Sequence, residues 1–101
     1  MEEQFVVTRK EERVPERIVM GRRLPKKSYP LTRVSSSFIT SVEFFYKRGT
    51  DSGRIVIWMI SGRAYDYYIP FDVWEGFYYA HSKGVYYNRY IKGQYKSSRV
   101  A

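Results

Sequence analysis

Residues 37–47, SFITSVEFFYK, alternate polar and apolar positions and carry β-branched and aromatic side chains, which predicts a strand. Strict alternation places Phe38, Thr40, Val42 and Phe44 on one face, and Ile39, Ser41 and Glu43 on the other. RGTDSG (48–53) supplies two glycines with Asp51 and Ser52, a hairpin loop. RIVIWMI (54–60) is apolar on both faces, as expected of a central strand covered on two sides. Ser61-Gly62 predicts a two-residue turn with Gly62 at positive φ. RAYDYYI (63–69) alternates again and groups Tyr65, Tyr67 and Ile69. These three strands form an antiparallel meander.

At Pro70 the period changes. Proline ends the strand and opens a helix, where its missing N–H would lack a partner anyway. Asp72 and Glu75 follow in the first turn, where the helix dipole favours negative charge. Val73, Trp74, Phe77 and Ala80 recur at helical spacing and point to the sheet. Gly76 costs about 1 kcal/mol against alanine in a helix, so its presence implies that a backbone comes close there. Ser82 caps a second short helix through GVYYNRY. The expected fold is α+β: a three- to four-stranded antiparallel meander with one longer and one short helix packed on one face.

Aromatic content sets the domain boundary. Of the 19 aromatic residues only Phe5 and Tyr29 precede residue 38. Residues 1–34 therefore read as a basic arm or linker, and 35–101 as the packed domain. Within the arm, QFVVTR (4–9) predicts a short strand and ERIVM (16–20) a second ordered piece. GRRLPKKSYPLTR has two prolines among five cations and predicts extended chain.

Charge then narrows the class of partner. With 18 Lys+Arg against 10 Asp+Glu the formal charge is +8 and the pI about 9.8, which favours polyanions through counterion release. There are no cysteines, so disulfides and thiolate metal sites are excluded. Met-Glu-Glu-Gln lacks the order of a signal peptide, and the longest apolar run, IVIWMI, is too short to span a membrane. The expectation is a soluble cytoplasmic protein with no membrane contact.

Nothing in the pattern suggests catalysis. His81 is the single histidine and falls near a helix C-terminus, where its protonated form suits the dipole. Ser35, Ser36 and Ser37 have no recognisable base, and Asp51, Asp66, Asp72 and Glu75 show no paired-carboxylate spacing. No phosphate-cradling glycine motif is present. The chain reads as a non-enzyme without cofactor, metal or small-molecule substrate.

One stretch carries the candidate chemistry. HSKGVYYNRYIKGQY (81–95) interleaves Lys83, Arg89 and Lys92 with Tyr86, Tyr87, Tyr90 and Tyr95. Lys83, Arg89, Lys92 and Lys96 offer salt-sensitive phosphate contacts. Tyr86, Tyr90 and Tyr95 offer rings for unpaired bases, worth about 1–3 kcal/mol per base. The turn after Ser82 adds free amides for a phosphate. Against this, Tyr87, Ile91 and Tyr95 are spaced four apart, as on the inner face of a last helical turn, with Asn88 and Gly93 fixing the backbone. The combined expectation is a Tyr-Asn-Ile-Gly-Tyr skeleton that closes the fold and a nucleic-acid-binding face of Lys83, Tyr86, Arg89, Tyr90, Lys92 and Lys96. The alternative is a protein-contact or assembly module acting as a homodimer. Seventeen aromatics after residue 37 exceed what one helix on three strands readily buries, and the first or third strand offers an edge to a second copy or to QFVVTR.

SSFITSVEF followed by SGRIVIWMISGRAYDYYIPFDVWEGFYYAHSKGVYYNRYIKGQY resembles the KTSC domain, found at the C-terminus of certain lysyl-tRNA synthetases. The resemblance spans about residues 35–95. Ser37, Ile39, Ser41 and Val42 match in the opening strand, and Gly62, Tyr65 and Tyr67 in the hairpin. Pro70, Val73, Phe77, Ala80, Ser82 and Gly84 follow, then Tyr87, Asn88, Ile91, Gly93 and Tyr95. Phe38 stands where a polar residue is usual and Phe44 where tyrosine is common. The resemblance implies contact with RNA rather than an activity. Small stand-alone versions look similar in phage and viral genomes, which implies a viral protein of the host cytoplasm.

Overall fold

The computed structural model describes residues 23–101. QFVVTR and ERIVM lie outside the described residues. Five antiparallel strands form one sheet in the order β1-β2-β3-β4-β5: β1 (Tyr29–Arg33), β2 (Ile39–Tyr46), β3 (Ser52–Met59), β4 (Ala64–Pro70) and β5 (Ser97–Arg99). Helix α1 (Phe71–Tyr79) follows β4, and a four-residue helix α2 (Lys83–Tyr86) runs directly into a π-helical turn, Tyr87–Ile91.

The α+β class and the meander β2-β3-β4 agree with the sequence pattern, but the described residues form five strands rather than three or four. Tyr29–Arg33 pairs with β2, and Ser97–Arg99 pairs with β4. Both outer strands are short and almost wholly exposed, so no hydrophobic alternation marks them. β1 falls inside the stretch counted with the arm. The two meander edges expected to await a second copy are thus paired within the chain over these spans, as edge strands commonly are.

The register of β2 departs from strict alternation. Ile39 pairs with Met59 and Ser41 with Trp58, and the irregularity between them turns Ile39 to the same side as Val42 and Phe44. All three are buried in one core with Ile55, Ile57, Tyr67 and Ile69. α1 packs on β3 and β4 from that side. Phe44 stacks on Trp74 at 4.8 Å and 7°, and meets Phe71 edge-on at 5.8 Å. Among the described residues no helix covers the opposite face, so β3 is not covered by a layer on both sides. Phe45, Arg54 and Tyr68 lie there in register across three strands.

Pro70 precedes α1 as expected, and the first helical amide, that of Phe71, donates to the Asp51 carbonyl in the β2–β3 loop at 2.6 Å. Glu75 differs from its predicted role. It is completely buried, accepts the Leu24 N–H on Oε2 at 2.6 Å, and has Arg23 3.8 Å from Oε1. A buried carboxylate needs such partners, and these tie residues 23–24 onto α1. Gly76 does mark a close approach, but of a side chain: the Tyr86 hydroxyl lies where a Cβ would stand.

Candidate nucleic-acid interface

Ser82 starts the C-terminal segment as predicted, its Oγ accepting the Val85 N–H at 3.3 Å. One of the free amides expected to meet a phosphate is thereby occupied. The helix then widens, and the Lys92 N–H closes on the Tyr87 carbonyl five residues back at 2.8 Å. Such π turns are single insertions into α-helical chain. Gly93 follows at φ 79°, a left-handed conformation that side-chain-bearing residues rarely adopt, and the Gln94 N–H returns to the Ile91 carbonyl at 3.0 Å. These two features turn Tyr87 and Ile91 inward, both buried, and leave Arg89 and Lys92 exposed.

Of the six predicted contact residues, Arg89, Lys92 and Lys96 are exposed and Tyr90 is half-buried, its ring 4.6 Å from that of Tyr86. The other two serve the fold. Tyr86 is only 4% exposed, and its hydroxyl donates to the Val73 carbonyl at 3.1 Å. Burial, reinforced by Tyr90 and Tyr95, pushes that hydroxyl far above the usual tyrosine range. A ring so placed has no face free for a base. Lys83 sends Nζ to the carbonyls of Tyr78 (2.9 Å) and Ala80 (3.1 Å), satisfying carbonyls at the end of α1. Its burial lowers the pKa. Two of its three ammonium donors are therefore engaged.

Beside the exposed cations lies a cleft of about 430 Å³ between β4, the π turn and the start of β5. Phe38, Tyr65, Tyr67, Tyr87, Lys92 and Ser97 line it. The Tyr67 and Tyr87 hydroxyls are 2.6 Å apart and their rings meet edge-on at 5.8 Å. Burial first, then this hydrogen bond, holds the Tyr87 hydroxyl well above the ordinary range. None of the cleft residues is acidic. The shared face of Tyr65 and Tyr67 was visible in the alternation of β4. Their meeting with Tyr87 was not, because it depends on the return path set by the π turn and Gly93.

The family model for the KTSC domain matches residues 35–95. The chain is similar to a crystal structure of a KTSC domain protein from Yersinia pestis, with 27% sequence identity and a TM-score of 0.60. That likeness covers 71% of this chain and 97% of the other. No curated protein matches it.

Proposed function

The chain belongs to the KTSC domain family, and on that premise we propose that it is a small non-enzymatic module that binds nucleic acid, RNA in preference to DNA. The observation that carries this reading is the outward array of Arg89, Lys92 and Lys96 on a chain of formal charge +8. The proposed interface keeps these three cations with Tyr90 and leaves Lys83 and Tyr86 to the fold. The occurrence of KTSC domains on certain lysyl-tRNA synthetases is what favours RNA.

Fluorescence anisotropy of labelled single-stranded RNA, with duplex DNA alongside, tests the proposal. Three neutralised phosphates give a log–log salt slope of about −2 on a single strand, or roughly twentyfold weaker binding between about 50 and about 200 mM salt. Lys92→Ala should weaken binding and flatten that slope by about 0.7 without unfolding the domain, since Lys92 is exposed. Absence of binding at the lower salt sinks the proposal.

A homodimer is the second reading, and a separate observation favours it. Phe45 and Tyr68, 44% and 50% exposed, flank Arg54 on the face that no described helix covers. The Arg54 guanidinium sits 5.5 Å from the Phe45 ring centre, and Lys47 Nζ 5.7 Å from that of Tyr68. Exposed aromatic patches of this kind serve as two-fold contacts. Sedimentation as a monomer at micromolar concentration excludes that assembly.

A further inference from the structure

The cations explain attraction to a phosphate backbone, but the tyrosine cleft beside them asks for a ligand of its own. Its volume, about 430 Å³, falls within the range of small-molecule sites. Its aromatic walls are the half-buried rings of Phe38 and Tyr65, and the Tyr67–Tyr87 hydroxyl pair, carried on buried rings, lines it beside them. One of those hydroxyls donates to the other, which leaves the pair one further O–H and free lone pairs to offer. Flat apolar walls with a donor and acceptors at one place suit a flat ring whose edge bears hydrogen-bonding groups. Lys92 is the cation among the lining residues, and Lys96 directly precedes Ser97, another of them. Arg99 pairs with Tyr65 across β4 and β5. With no carboxylate lining it, the cleft suits a ring that carries an anionic tail.

Resting on the nucleic-acid reading above, we propose that this cleft is a nucleobase pocket: it takes one unpaired base of a single strand between its aromatic walls, against the Tyr67–Tyr87 hydroxyls, while Lys92 holds the adjoining phosphate. Unstacked bases splayed onto aromatic side chains are the usual targets of single-strand recognition. The pocket is distinct from a Tyr90 stacking surface, since Tyr90 does not line the cleft.

The test compares labelled oligouridylate with an abasic ribose-phosphate strand of equal length, by anisotropy at low salt. Wild-type protein should bind the base-bearing strand about tenfold tighter, the worth of one stacked base. Ser97→Trp, at an exposed position of the cleft wall, should abolish that ratio and leave binding of the abasic strand unchanged. Tyr67→Phe keeps the ring, removes one hydroxyl, and should weaken oligouridylate binding several-fold with the abasic strand again unaffected. A wild-type ratio near one overturns the pocket and leaves the phosphate contacts standing. A ratio preserved in Ser97→Trp places the stacked base elsewhere and also overturns it. Failure to bind either strand overturns the nucleic-acid reading and the pocket together.

Discussion

Phe44→Ala should leave the domain close to unfolding at room temperature, lowering the urea midpoint by about 2 M. Phe44 has no exposed surface, stacks on Trp74 and packs edge-on against Phe71, so it joins the sheet to α1 at the middle of the core. Truncating a buried phenylalanine costs about 3–5 kcal/mol, the sum of lost transfer energy and the cavity left behind. Whole domains have only about 5–15 kcal/mol, and small ones lie at the lower end. The control is the next residue. Phe45 points to the uncovered face and is 44% exposed, so Phe45→Ala should cost under about 1 kcal/mol. Equal midpoints for the two variants would contradict the assignment of faces in β2.

That contrast was only partly legible in the sequence. Alternation separates Phe44 from Phe45 correctly, yet it puts Ile39 on the wrong face, because the irregularity between Ile39 and Ser41 adds a residue to one strand. Tyr-Pro-Leu-Thr-Arg and Ser-Ser-Arg become strands by pairing with β2 and β4 rather than by pattern. Their side chains are exposed almost throughout, so burial leaves no imprint on their composition.

The same limit applies at the candidate interface. Adjacent helical residues point about 100° apart, so Tyr86 and Tyr87 suggest one ring inside and one outside. The junction of α2 and the π turn instead meets two neighbours. Tyr86 packs against Phe77 of α1, while Tyr87 packs against Tyr67 of the sheet. Lys83 likewise looks like a surface cation in sequence, and only the position of the α1 terminus reveals its carbonyl partners. Arg89 was readable as outward-facing because the buried pair Tyr87 and Ile91 brackets it, and Lys92 and Lys96 follow that turn in exposed chain.

Gly76→Ala should destabilise the protein by about 2 kcal/mol, even though alanine in a helix interior is favoured over glycine by about 1 kcal/mol. The reason is the space beside α1. A Cβ at residue 76 would meet the Tyr86 hydroxyl and stand 2.7 Å from the Tyr86 Cζ. A buried aromatic ring cannot swing aside as an exposed lysine tip can, and overpacking a core costs about 1–3 kcal/mol. Moving the ring also breaks its hydrogen bond to the Val73 carbonyl, about 1 kcal/mol more. The penalties exceed the gain in propensity, and for a domain of this size the melting temperature should fall by roughly 10 °C. Tyr86→Phe supplies the second arm. Alone it should cost about 1 kcal/mol by removing that hydrogen bond. Combined with Gly76→Ala it should recover part of the loss, because the nearest clashing atom is gone while the ring carbon still crowds the methyl group. The double variant must therefore be more stable than the two separate costs add up to, since the residues are in contact. If Gly76→Ala instead raises the melting temperature, or the two changes prove additive, then Tyr86 does not pack on that glycine, and the burial that removes it from the nucleic-acid face fails with it.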